Sequence, residues 1–569
     1  MGTNRQVKSG TAERPLFGAT VFSGVLLLAA LLSVGTIYEC VSCVLSVLSA
    51  LYLLYILFRR KEINVYFSFT FGVTLLLVLA YAAATLWAVD RGEAFLGFLK
   101  FLPLVLFLAV LMQECDSRLL IEKLPYAAAA MTVLSVIGKQ IPALNDFFSV
   151  QGRLGGFFQY PNTFAMFLLV SQIVAVSKRK NALLSAAVTA ILLFGILYTG
   201  SRSVFVLVVF ANAVLLLKSK NRRLKAVAVS LAALAVLSIT IYFFATGKTN
   251  AFTRFLTISF KESTFIGRLL YFKDALSLVI KYPFGLGYMG YSYVQQSVQT
   301  GVYYVRFVHN DFLQTALDVG LIPAAALAAM FCRNIFSKKT EFYKKLVLTV
   351  SALHCCFDFD LQFVSFFMLL LLFMGYEDGK KYTVSSKAFA AVVLSAISAV
   401  CIWFSAALFF ELFGNYEASQ KLYKYNTENE IAILKKETDL QKAEKIADDI
   451  LERNSYAVLA LDVKAKSAYS DGDFEKLIEY KTKIFEIAPF NFSEYEEYCY
   501  MLMNGISLYT AAGDNASAEI CRKEFIKTVE AVKGFEKKLS SFGKMIDDKP
   551  QTELPKDIEN YFKTIDLLN

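Results

Sequence analysis

The sequence predicts an all-α protein in two parts: a polytopic helical membrane domain over residues 1–413 and a soluble helical-repeat domain over 414–569. Three observations carry this reading. Hydrophobic residues make up 56% of the chain and charged residues only 19%, with a mean hydropathy of +0.50, which is not a soluble globular composition. Apolar runs of about 20 residues, the length of a membrane-crossing helix, recur as far as Phe413. Beyond Phe413 the composition turns abruptly to charged, amphipathic helix.

Thirteen apolar spans are expected, near 16–37, 40–58, 64–88, 95–113, 124–141, 162–177, 182–199, 203–217, 225–246, 310–331, 345–357, 361–376 and 387–413. Ten-residue alternating strands are absent, which excludes a β-barrel reading. Basic clusters at Arg59–Arg60–Lys61, Lys178–Arg179–Lys180, Lys218 to Lys225, Arg333 to Lys339 and Lys380–Lys381 fall in alternate loops. Arg5, Lys8 and Arg14 share their side. The positive-inside rule places that side in the cytoplasm and accounts for the net charge of +10 without a nucleic-acid partner. The segments 142–161, 200–202 and 247–309, and everything after Phe413, then face outward. An odd span count puts the N-terminus inside and the C-terminus outside; reading 345–376 as one span reverses the C-terminal side. The first apolar run is long and lacks a small-residue cleavage site, so no cleavable signal peptide is expected. The nine cysteines are scattered, mostly within apolar spans, and Cys40/Cys43 and Cys355/Cys356 lack zinc-site spacing.

In the C-terminal part, TDLQKAEKIADDI from Thr438 aligns with GDFEKLIEYKTKI from Gly472, an offset of 34 residues. At this offset Ala443 matches Leu477, Ile450 matches Ile484 and Ser455 matches Pro489. The period resembles the tetratricopeptide repeat, with a third, irregular copy starting near Gly513–Asp514. An ordinary helical hairpin bundle is the alternative. Such stacks offer concave surfaces, so this part is expected to dock an acceptor or an envelope protein rather than perform chemistry. Cys499 and Cys521 either pair in an oxidising exterior or stay as buried thiols.

Four outward positions form a polar constellation. GRLGGFFQYPNTF from Gly152 feeds a Gly-rich turn into a span: Gly155 and Gly156 permit close approach or positive φ, Pro161 suits a helix start, and Arg153 sits at the mouth of the bundle. Thr199–Gly200–Ser201–Arg202–Ser203 interrupts two apolar spans, and an arginine there faces a polar cavity at lower cost than lipid. Gly267–Arg268 precedes Tyr271 and Asp274 on one helical face. His309–Asn310, followed by Asp311 and Gln314, opens the span at 310. The chain has only two histidines, and one at a membrane boundary suits proton transfer near neutral pH. Each arginine taken singly could be snorkelling to headgroups. Three on a face that the positive-inside bias should empty instead suggest a pocket for a phosphorylated anion, which guanidinium forks bind bidentately.

The series RLGGFFQYPN, TGSRS, GRLLYFKDAL, FGLGYMGY and HNDFLQTALDVGLI, with LHCCFDFDLQF after it, resembles the O-antigen ligase and O-antigen polymerase family of bacterial membrane glycosyltransferases over roughly 150–376. The resemblance implies a GT-C-like enzyme of the bacterial cytoplasmic membrane. Such an enzyme moves a polyprenyl-diphosphate-linked glycan to a glycan, lipid or protein acceptor at the outer face, without a cofactor. Carried over by motif, it makes His309 the base on the acceptor hydroxyl and Arg202 and Arg268 the holders of the diphosphate, with Arg153 as a further partner. Asn310, Ser201, Asn162 and Tyr271, beside them in the same motifs, take supporting places. The chemistry needs a base for the nucleophile and positive charge on the leaving group, and both are present.

A transporter or flippase of lipid-linked oligosaccharide is the alternative from another class. It lacks support from an inverted repeat or matched broken helices. A scaffold reading leaves the histidine and arginines unexplained. A metal-dependent transferase would use Asp358-Phe359-Asp360, an Asp-X-Asp spacing, but carboxylates at a span boundary more commonly orient neighbouring cations. No metal is therefore expected. His354, one turn before Asp358, reads as a satisfied polar residue within the bundle.

Overall fold

The computed structural model describes residues 18–178, 181–218, 263–384 and 386–566. The expected span at 225–246, the start of the loop expected at 247–309, and the basic residues Arg5, Lys8, Arg14, Arg179, Lys180 and 219–225 lie outside them. The other expected spans fall on helices. Five are long and apolar enough to cross a membrane: Glu39–Arg60, Arg91–Leu111, Ser117–Gln140, Ala182–Thr199 and Lys387–Leu412. Shorter apolar helices Ala19–Leu32, Phe69–Ala84, Pro161–Ser177 and Leu321–Phe336 accompany them. Among the described residues the only strands form two antiparallel ladders, Ile63–Phe67 with Lys380–Val384 and Ser149–Val150 with Arg153–Leu154.

Two expected spans are not single long helices. The stretch at 310–331 divides into Asp311–Val319 and Leu321–Phe336 at Gly320, whose φ is +94°. A β-carbon there would meet the Pro283 carbonyl oxygen at 2.7 Å, so only glycine allows the break. The first piece buries Asp311, Gln314 and Asp318, which need protein partners rather than lipid. The stretch at 361–376 reduces to Val364–Leu371, eight residues. At 1.5 Å per residue that spans about 12 Å, well short of the ~30 Å hydrocarbon core.

Loop contacts sort the helix ends into two groups. In the first, Arg60 pairs with Glu114 at 2.7 Å, Lys178 with Glu341 at 2.7 Å, and Gln113 with the backbone of Asn64, while the 63–67 strand runs against 380–384. This end gathers the basic loops expected in the cytoplasm. The second group gathers 34–38, 85–93, 149–162, 199–203, 282–310 and 356–363, and these together with helix Ser263–Lys281 hold every expected site residue.

Two helices make the centre. Pro161–Ser177 starts at its proline, as expected, and is buried almost without a break from Pro161 to Ala175. Arg91–Leu111, capped by Asp90 accepting from the Glu93 amide, is buried nearly all round and carries Lys100. A cation at that depth is costly unless fully bonded. Lys100 Nζ donates to the Ile37 carbonyl at 2.8 Å, Tyr288 Oη at 2.8 Å and Glu39 Oε1 at 3.2 Å.

After Gly414 the chain becomes a stack of amphipathic helices. Leu440–Arg453 and Phe474–Ile487, each behind an aspartate cap, begin 34 residues apart, and Val458–Ser470 and Phe492–Ala512 are offset by the same 34 residues. Lys481, fully buried, donates to Asp462, Glu494 and Glu497 at 2.8, 2.7 and 2.9 Å. Burial alone would lower its pKa, but the Asp462 and Glu494 charges raise it instead. Cys499 and Cys521 are buried free thiols.

This stack lies against the second end of the membrane helices. Tyr423 Oη donates to the Gly92 carbonyl, the Glu428 amide to Glu93, and Asn454 to Asp90. Its last segment packs on the site segment: the Ser540 amide donates to the Thr300 carbonyl at 2.9 Å, the Asp547 amide to Ser263 at 2.8 Å, and Ile546 and Phe542 cover Ile266, Leu270 and Tyr303.

Candidate functional site

The site grows from four segments that converge on one carboxylate. A two-residue hairpin turns the chain at 151–152, and Gly156, with φ +59°, lets it pass Phe164 where a β-carbon would collide at 2.5 Å. That turn delivers Tyr160 and Asn162 to the start of Pro161–Ser177. Helix Ser263–Lys281 buries Ile266, Leu270, Ala275 and Leu278 and leaves Arg268 on its partly exposed side. The loop ending at 310 carries His309 with φ +56°, a left-handed conformation that a non-glycine residue holds only when its surroundings impose it. The turn at 356–359 supplies Asp358.

Asp358 has no exposed side-chain surface. Its Oδ1 accepts from Tyr160 Oη at 2.7 Å and lies 3.3 Å from His309 Nδ1. Its Oδ2 accepts from Asn162 Nδ2 at 2.7 Å and Arg268 Nη2 at 3.2 Å. Burial pushes this carboxyl up, but the Arg268 guanidinium and the His309 contact outweigh burial and hold it well below the usual carboxylate range. Arg153 extends the network: Nη2 donates to Asn162 Oδ1 at 2.8 Å and Nε to the Thr199 carbonyl at 2.8 Å. Three residues beyond Thr199, Arg202 opens helix Arg202–Lys218 and is partly buried.

His309 keeps about a fifth of its side chain exposed. Phe359 packs edge-on against its ring at 4.9 Å between centroids, and Tyr271 lies tilted at 6.3 Å. With Asp358 ionised, Nδ1 carries the hydrogen, which leaves Nε2 as the basic nitrogen. The backbone before it is fixed by Gln314, whose Oε1 accepts from the Val308 amide while its Nε2 donates to Asp318.

Of the residues expected from sequence, His309, Arg268 and Asn162 meet directly at Asp358, and Arg153 joins through Asn162. Tyr271 reaches the site as a ring wall. Asn310 caps Asp311–Val319, its Oδ1 accepting from the Leu313 amide, so its role is to shape the turn. Ser201 lies 3.4 Å from Ser203, oxygen to oxygen. His354 is satisfied at both nitrogens, by Asp360 and Ser203, as expected. The Asp-X-Asp pair does not converge: Asp358 faces the four donors above, and Asp360 accepts from Thr163 and lies against His354. Among the described residues the acidic group whose oxygens do converge is Asp462, Glu494 and Glu497, around the Lys481 ammonium.

Sequence reasoning missed Tyr160 and the central place of Asp358. It also missed Lys100, whose ammonium lies 5.7 Å from the Phe307 ring centre, and Arg306, which pairs with Glu428 at 3.8 Å. A lysine within an apolar span was the available signal for the first.

Residues 187–328 match the family model described as O-antigen ligase. The matched stretch, about a quarter of the chain, holds Arg202, Arg268 and His309; Arg153, Asn162 and Asp358 lie outside it. No curated protein sequence matches the chain.

Proposed function

We propose that this protein transfers, or polymerises, a polyprenyl-diphosphate-linked glycan onto an acceptor hydroxyl at the outer face of the bacterial cytoplasmic membrane. The observation that carries the proposal is the sharing of one buried carboxylate by a histidine and an arginine, both within the O-antigen ligase match. Asp358 fixes the His309 tautomer and anchors Arg268 through its other oxygen, so a base and a cation are held on one rigid group.

In this reading the acceptor oxygen forms a bond to the anomeric carbon while its proton passes to His309 Nε2. The bond from that carbon to the diphosphate oxygen breaks, and the polyprenyl diphosphate leaves with the electron pair. Arg268 and Arg202 take up the charge that develops on it, and Arg153 supports them through Asn162. The arginines supply the charge a divalent cation would otherwise provide, so no metal is needed. The C-terminal helices, on the same side as His309, present the acceptor or a partner protein of the envelope.

The test is His309→Ala in purified, membrane-reconstituted protein supplied with lipid-linked glycan. Transfer is expected to fall at least a hundredfold, the usual worth of a general base, with insertion unchanged. Near-normal turnover would remove the base assignment.

A further inference from the structure

Beside Asp358 runs a second polar chain that the proposed transfer does not use. Asp360 and His354 are fully buried. Asp360 Oδ1 accepts from Thr163 Oγ1 at 2.6 Å, and Oδ2 lies 2.5 Å from His354 Nδ1. The other imidazole nitrogen, Nε2, is 3.0 Å from Ser203 Oγ. With Asp360 as the carboxylate, which can only accept, Nδ1 carries the hydrogen of this bond. The chain thus starts deep between helices and reaches a half-buried hydroxyl adjacent in sequence to Arg202, with Ser201 Oγ a longer 3.4 Å from it.

We infer that Ser203 is a further contact for the donor diphosphate, and that His354 and Asp360 are positioning residues acting through it. The inference rests on the proposed reading of Arg202 and Arg268 as diphosphate ligands. With Nε2 also protonated, the ring donates to Asp360 on one side and to Ser203 Oγ on the other. The Ser203 hydrogen is then released from the imidazole and turns to a phosphoryl oxygen. The buried imidazolium is tolerable because Asp360 matches its charge and both of its N–H groups have acceptors. Thr163 prevents Asp360 from rotating away. Ser203 forms no bond to carbon here; it stabilises the leaving group by one charge-assisted hydrogen bond. A chain of this order is a means of aiming a hydroxyl, whatever that hydroxyl then does.

The test uses the full chain reconstituted in lipid nanodiscs. Binding of polyprenyl diphosphate and polyprenyl monophosphate is measured alongside transfer kinetics. Ser203→Ala is expected to weaken diphosphate binding about tenfold and to raise the donor KM by a similar factor, while monophosphate binding changes little. Ser203→Thr, which keeps the hydroxyl, should restore most of the loss. His354→Asn should mimic Ser203→Ala, and the double variant should be no worse than either alone, since one acts through the other. Arg202→Ala serves as the control for the underlying reading. If it loses diphosphate affinity while Ser203→Ala binds within about twofold of the parent, the inference is overturned and the site reading stands. If Arg202→Ala also binds normally, both fall. Additive losses in the double variant would overturn the positioning role of His354. Should His354→Asn fail to insert, the Ser203→Ala and Ser203→Thr pair decides.

Discussion

Replacing Asp358 by asparagine is the sharpest perturbation of the proposed centre, because it changes one atom and almost no volume. The carboxylate receives Tyr160, His309 and the Phe359 amide on one oxygen, and Asn162 and Arg268 on the other. An amide keeps a single acceptor. Whichever way it turns, its NH2 faces donors, and Arg268 loses its anionic partner. Breaking a buried ion pair from one side costs about 3–5 kcal/mol. Arg268 retains a fifth of its side chain in contact with solvent, which puts the expected cost at the low end, about 3 kcal/mol. If that loss falls on the aligned state of Arg268 and His309, transfer drops about a hundredfold at 1.36 kcal/mol per decade. The stability part has a definite pH sign. The folded carboxyl lies below its unfolded value, so its contribution is complete above an unfolded pKa of about 3.9 and fades as pH falls below it. The gap in melting temperature between parent and variant should therefore be constant from neutral pH down to about 5 and narrow below about 4. Single-turnover transfer from a lipid-linked donor, with parallel melting curves, measures both parts. A variant that transfers within about twofold of the parent and melts at the same temperature would refute the reasoning.

Three further outcomes follow from the same geometry. Arg268→Lys keeps the charge but loses the planar fork, so donor affinity should fall less than in Arg268→Ala yet clearly below the parent; equal affinity in all three would remove Arg268 from the diphosphate site. Gly543→Val would drive a β-carbon to 2.2 Å from the Thr300 carbonyl and lift the last C-terminal segment off the site loop, so amide protection over 299–308 and transfer should both decline, as overpacking by about 1–3 kcal/mol implies. Unchanged protection there would show that the segment is not a brace. Chelation of divalent cations should leave the transfer rate unaltered, and restoration by magnesium or manganese of a rate lost to chelator would promote metal-assisted chemistry.

The membrane fold was legible because its signals are local. Apolar length marks a span, a proline marks the start at Pro161, and alternating basic loops mark one end of the bundle. The same locality explains why two expected spans are not continuous helices. A hydropathy window sees the apolar residues around Gly320 and cannot see that Asp311, Gln314 and Asp318 are inward-facing and bonded. The arginines and His309 stood out for a related reason, since charge among apolar spans needs polar partners. What could not be read was which carboxylate they share. Asp358 lies 49 residues from His309, 90 from Arg268 and 196 from Asn162, and the Asp-X-Asp spacing does not reveal that the two side chains turn to different partners. Arg306 shows the limit most plainly. Three residues before His309 and paired with Glu428 of the C-terminal stack, it ties the histidine's loop to a part of the chain that sequence alone presented as a separate platform. With Ser540 bonded to Thr300 on the other flank of that loop, the C-terminal helices hold it from both ends. Any movement of those helices is therefore passed directly to the backbone that carries His309.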